Sequence, residues 1–220
     1  MSTVMNTRLP PHTAHAGHPY LFAYDIRDPK RARPIRQCLQ RWRVDGQYSV
    51  HETRLRDLQV QELTVELLDL VDPATDRLLV ARLSQRGAGA VHVLSRSPKR
   101  APFIYEPPVP LPARPADGWY LLAYDITDPP RLHKVQRITA RRSTYLQRSV
   151  YLYHGNGAGL RDLLDELGDT INRQFDDLRV YRLSAPRDLW FPCGPVPPLA
   201  GFAAEPEGLW RRLQLWLGSA

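Results

Sequence analysis

The feature that most limits what this chain can fold into is an internal repeat. Residues 20–83 align on residues 120–183 at a constant offset of one hundred positions, without a gap. Roughly one position in three is identical, far above what unrelated ungapped segments give. Tyr20-Leu21-Phe22-Ala23-Tyr24-Asp25-Ile26 answers Tyr120-Leu121-Leu122-Ala123-Tyr124-Asp125-Ile126, and Asp28-Pro29 answers Asp128-Pro129. Gln47, Ser49 and Val50 answer Gln147, Ser149 and Val150. Leu78, Val80, Arg82 and Leu83 answer Leu178, Val180, Arg182 and Leu183. The period is too long for a solenoid and suits a duplicated domain, a fused homodimer whose twofold survives as a pseudo-twofold.

Each copy opens on an apolar, aromatic run with the character of a strand buried on both faces. Asp128-Pro129 then starts a helix: the Asp side chain accepts an early N–H, and Pro takes a position whose own N–H has no partner. That helix is expected to run to about Ser143, with Val135, Ile138 and Arg142 on one side. In the first copy Pro34 falls inside the equivalent helix, which should therefore be shorter. Leu146 to Tyr153 reads as extended, and Gly155-Asn156-Gly157 breaks it. Leu160, Leu163, Leu164 and Leu167 have helical spacing, and Leu178, Val180, Tyr181 and Leu183 close the copy as a strand. The expected fold class is α+β: two tandem ferredoxin-like (βαββαβ) domains forming a pseudo-dimer.

The expected organisation is a disordered tail over 1–18, a first domain over 19–97, a Pro-rich linker over 98–118, a second domain over 119–193 and a Pro-rich tail over 194–220. Ala90 to Leu94 is expected to add one strand to the first domain, matching Leu189-Trp190-Phe191 after the second. Leu209, Leu213, Trp216 and Leu217 suggest a short amphipathic C-terminal helix that covers apolar surface, with Trp210 beside it. Fully extended at about 3.3 Å per residue, the stretch between the copies permits pairing within one chain or exchange between two.

Charge narrows the function. Thirty Lys and Arg against 23 Asp and Glu give a net charge of +7, which favours a polyanionic partner, nucleic acid before membrane. No long apolar run or signal-peptide core is present, so a cytoplasmic protein is expected. Cys38 and Cys193 lack the spacing of a disulfide framework or a thiolate zinc site and read as buried small apolar residues. His12, His15 and His18 fall in the polar terminal segment and read as disordered rather than as a metal cluster.

Tyr124-Asp125-Ile126-Thr127-Asp128, followed by Arg131, Lys134, Val135 and Arg137 and then by Gln147-Arg148-Ser149-Val150-Tyr151, resembles the CRISPR-associated Cas-two family. The first copy keeps Tyr24-Asp25-Ile26, Asp28, Arg31, Gln47 and Ser49-Val50. It has Gly46, which the second copy lacks near Tyr145, and Pro34 where the second copy has Lys134. The resemblance implies dimerisation with the strand-end residues Asp25 and Asp125 facing each other, where they could bind Mg²⁺ as metal-binding and catalytic residues. It also implies a place at the centre of an integration complex, with a Cas-one integrase and duplex prespacer DNA as partners and the chemistry left to the integrase. Lys30, Arg31, Arg33, Arg36, Arg131, Lys134, Arg137, Arg141 and Arg142 are then the nucleic-acid-binding residues, joined by Arg41, Arg43 and His133, gripping backbone rather than reading bases. Asp28 and Asp128 have a sufficient role as helix caps. Three functions follow: a structural DNA-binding subunit of the spacer-acquisition complex, a metal-dependent endonuclease or endoribonuclease, or a duplicated module that binds protein alone. The last leaves the basic surplus unexplained.

Overall fold

The computed structural model describes residues 17–84, 92–94 and 115–199. The first copy runs β1 (His18–Asp25), α1 (Pro29–Gln40), β2 (Arg43–Gly46), β3 (Val50–Leu55), α2 (Asp57–Leu68) and β4 (Arg77–Arg82). A short strand β5 (His92–Leu94) lies between the copies. The second copy repeats the order as β6 (Gly118–Asp125), α3 (Pro129–Ala140), β7 (Thr144–Gln147), β8 (Val150–Gly155), α4 (Gly157–Thr170) and β9 (Asp177–Leu183), and a 3-10 turn leads to β10 (Leu189–Cys193). The protein is α+β, with two ferredoxin-like units in tandem. His18 opens β1, while His12, His15, the Pro-rich stretch 98–114 and the expected C-terminal helix lie outside the described residues.

Two expectations about the helices need correction. Pro34 does not shorten its helix: α1 and α3 both have 12 residues. A mid-helix proline removes one backbone hydrogen bond. Here the turn before it is held by the Asp28 cap, and the turns after it by buried Ile35, Cys38 and Leu39. The second-copy helix stops at Ala140 rather than about Ser143, because Thr144 and Tyr145 enter β7.

The strand period explains the layers. Successive side chains of a strand point to opposite faces. Tyr20, Phe22 and Tyr24 pack with Ile35, Leu39, Leu63 and Leu67 of the first copy's helices. Tyr120, Leu122 and Tyr124 do the same with Val135, Ile138, Leu163 and Leu167. The alternate residues Leu21, Ala23, Leu121 and Ala123 join Leu79, Ala81, Leu146, Leu152 and Leu189 in a third cluster between the two sheets. Both sheets therefore pack face to face, with each copy's helices outside. The all-apolar first run of each copy is the mark of this double burial.

Both sheets have five strands, in the orders β10-β4-β1-β3-β2 and β5-β9-β6-β8-β7. The edge strands are exchanged. β10, which follows the second copy, pairs antiparallel with β4 of the first, Leu189 opposite Ala81 and Trp190 opposite Val80. β5, which follows the first copy, pairs with β9 of the second, His92 opposite Val180. Trp190 and Cys193 thus complete the core of the first copy. Both cysteines are free and buried, as expected.

Candidate nucleic-acid interface and strand-end carboxylates

Both basic helices are built alike. Asp28 accepts a hydrogen bond from the Lys30 N–H and Asp128 from the Arg131 N–H, each at 2.9 Å. Proline follows at the first helical position in both. The caps are therefore structural, as read. One turn later the two arginines are held: Arg31 Nε donates to Asp76 Oδ2 at 2.9 Å and Arg131 Nε to Asp176 Oδ2 at 2.8 Å. Asp76 also accepts the backbone N–H groups of Arg27 and Asp72, and Asp176 those of Thr127 and Asn172. Burial works against the Asp76 carboxylate, yet these donors outweigh it and bring its pKa down to about 2; Asp176 is lowered by the same balance. These two carboxylates tie the end of the first strand, the following helix and the loop before the last strand into one unit. Sequence reasoning missed them, although both are identical across the copies.

The remaining cations divide by their engagement. Arg36 lies over the Tyr48 ring at 4.8 Å. Arg41 pairs with Glu66, and Arg142 with Glu166 at 3.3 Å. Arg43 donates to the Gly46 carbonyl. Lys30, Arg33, His133, Lys134, Arg137 and Arg141 are exposed. They stand on the outer helices, the first copy's and the second copy's on opposite sides of the stacked sheets. Arg31 and Arg131, whose guanidinium groups already serve Asp76 and Asp176, have the least freedom to meet a phosphate.

The two strand-end aspartates have unlike surroundings. Asp25 sits opposite Arg77 in the β1–β4 ladder, and Arg77 lies over the ring of Tyr145 from the other copy at 5.8 Å. Asp125 sits opposite Asp177 in the β6–β9 ladder. The residue is exposed, yet partial loss of water around its carboxyl disfavours the charged form and raises its pKa, and the charges of Asp177 and Asp176 push the same way. Gln47 of the first copy closes this end: its amide donates to the carbonyls of Ala123 at 3.2 Å and of Asp177 at 3.0 Å. Asp176 and Asp177 are already engaged by Arg131 and Arg179, so Asp25 and Asp125 offer one carboxylate each. Among the described residues no group of three or more His, Cys, Asp or Glu side chains is arranged to hold a metal ion.

The family model for CRISPR associated protein Cas2 matches twice, over residues 18–91 and 118–188. The chain belongs to the Cas2 family. It is 48% identical over 59 residues to the CRISPR-associated endoribonuclease Cas2 of Allochromatium vinosum, covering 27% of this chain and 63% of that relative. A Cas2 endoribonuclease of Nitrosomonas europaea is 39% identical over 70 residues, covering 32% of this chain and 67% of the relative. The chain thus spans about two thirds of the length of these relatives. Among solved structures, Cas2 of Streptococcus pyogenes matches at 25% identity over 30% of this chain and 86% of its own, with a TM-score of 0.29. A hypothetical protein of Thermus thermophilus matches at 26% identity over 32% and 85%, with a TM-score of 0.31. Two Cas2 segments in one chain match the tandem duplication read from the repeat. None of the described helices is long and apolar enough to cross a membrane.

Proposed function

We propose that this Cas2 chain is a structural DNA-binding subunit of the CRISPR spacer-acquisition complex, a covalent pseudo-dimer that bridges Cas-one integrase dimers and holds duplex prespacer DNA. The observation that supports it is the stacking of two Cas2 copies from one chain with an exposed basic helix on each outer side, Lys30 and Arg33 on one, Lys134, Arg137 and Arg141 on the other. Such cations act on phosphates without regard to sequence. Binding of a duplex should weaken with salt along a log–log slope of about −0.9 per neutralised phosphate. Reversing Lys134, Arg137 and Arg141 to Glu should weaken binding about equally for all sequences and make that slope shallower by up to about 3. A slope unchanged by the triple reversal, or no affinity for duplex, would remove the reading.

A second reading, a metal-dependent endonuclease or endoribonuclease, draws on the relatives' being named endoribonucleases. In it Asp25 and Asp125 bind Mg²⁺, with water and substrate phosphate oxygens supplying most of the remaining ligands. Replacing both aspartates with Ala separates the two. The structural role predicts unchanged spacer integration in the presence of the integrase; the nuclease predicts loss of Mg²⁺-dependent cleavage of RNA or DNA by the chain alone.

A further inference from the structure

The face between the two sheets keeps Leu21, Ala23, Val50 and Leu83 in both copies, but it departs from the repeat at other positions, and the departures are coordinated. Position 79 is Leu in the first copy and Arg in the second; position 81 is Ala, then Tyr; position 52 is Glu, then Leu; position 45 is Asp, then Tyr. Arg179, Asp45 and Glu52 are brought together. Arg179 is 3% exposed, inside a strand, and its Nη1 donates to Asp45 Oδ2 at 2.9 Å and to Glu52 Oε1 at 2.8 Å, both from the other copy. Asp177 takes its remaining edge at 3.1 Å. The Tyr181 hydroxyl donates to Glu52 Oε1 at 2.9 Å, again across the copies. The pseudo-symmetric place on the other side holds Leu79, Ala81, Leu146 and Leu152, an apolar cluster.

A backbone device makes Asp45 available. In the second copy Tyr145 stands opposite Tyr151, and the irregularity in the β7–β8 ladder falls after it. In the first copy the irregularity falls before position 45, so Asp45 stands opposite Glu52 and Gly46 opposite His51. A one-residue slip in pairing turns a side chain to the other face of the sheet. Tyr145 accordingly is 46% exposed while Asp45 is 7% exposed. Gly46 permits the slip: its φ is +136°, and a Cβ there would meet the Val50 carbonyl oxygen at 2.1 Å.

We propose that this asymmetry is a pairing code: the buried Arg179, Asp45, Glu52 and Tyr181 cluster makes the first copy's sheet face fit only a second-copy face. It bars like-with-like pairing. Two first-copy faces would bury Asp45 and Glu52 against Leu79, without the buried guanidinium of Arg179 between them. Two second-copy faces would bury Arg179 against Leu152, with the two buried carboxylates of Asp45 and Glu52 gone and only Asp177 of its own strand left to it. Removing one partner of a buried ion pair is strongly destabilising, whereas a matched apolar set is tolerated. The code stands on the interface alone and is independent of what nucleic acid or enzyme the chain binds.

The test uses full-length chains. Arg179→Leu reproduces the first-with-first clash inside the molecule, and Asp45→Asn with Glu52→Leu reproduces the second-with-second clash. Each should lower the melting temperature by about 10 °C, and the three changes combined should recover most of that loss. A second experiment reads pairing directly. Tagged Arg179→Glu chain is co-expressed with untagged Glu52→Arg chain, so that only pairing between the two chains sets a native Asp45 and Glu52 face against a native Arg179. A one-to-one complex, or soluble protein only on co-expression, is expected. Wild-type melting of both partial variants, a combined variant that loses the sum of their effects, or no more co-purification than each chain shows with itself would overturn the code.

Discussion

His51 is a titratable ring sealed between strands. It is fully buried, stacked on Tyr24 at 5.8 Å, and neither ring nitrogen makes a well-formed hydrogen bond among the described residues. Burial first, then the Arg43 charge, lowers its pKa to about 3 from 6.5. Between those values the unfolded chain binds a proton that the folded chain does not. Its contribution is therefore complete above about pH 6.5 and is lost as pH falls, by up to about 1.4 kcal/mol per pH unit. His51→Phe should flatten the acid side of a stability–pH curve measured by urea denaturation; an unchanged slope would show that His51 does not carry it. Asp76 acts lower, its stabilisation lost as pH falls through the window between 3.8 and about 2. Asp76→Ala, which strips the nearest carboxylate from Arg31 and the acceptor from two backbone N–H groups, should cost about 3–5 kcal/mol. Arg31→Ala should cost less, since Asp76 keeps its backbone donors. At this scale the sequence was readable where a residue obeys a local rule, as Asp28 and Asp128 do in capping. Arg179 was hidden because its partners lie 127 and 134 positions away, although a charged residue inside a buried strand run was a visible anomaly.

The exchanged strands are the elements that carry most consequence. Trp190 follows the second copy in the chain but packs in the first copy's core. Trp190→Ala should therefore cost about 3–5 kcal/mol. Hydrogen exchange should speed up first in β4 and β1, not in β9. Loss of protection confined to β9 would contradict the exchange. Strand character at both sites was legible in the apolar runs, but periodicity carries no information about which sheet edge a strand joins. The α1 helix shows the converse limit. Pro34 obeys a local rule that predicts a shorter helix, and the cap before it and packing after it override that rule. The shifted ladder at Asp45 was marked by Gly46 alone, a residue with no counterpart in the second copy.

For the whole molecule, the repeat makes the two-copy architecture legible in the sequence, because a constant offset of one hundred residues demands two like units. Which copies pair was not legible, since the stretch between them spans either arrangement. In the structure, the Ser84 N–H donates to the Arg182 carbonyl at 3.0 Å, Gln47 closes the second copy's strand end, and both edge strands cross over. One chain thus supplies both halves of the stacked sheets. The most direct measurement is the light-scattering mass of the purified chain, alone and with a co-expressed Cas-one integrase and a short duplex. A single chain in solution that enters a complex of one chain with two integrase dimers is the predicted result. A stable assembly of two chains that ignores both integrase and DNA would contradict it.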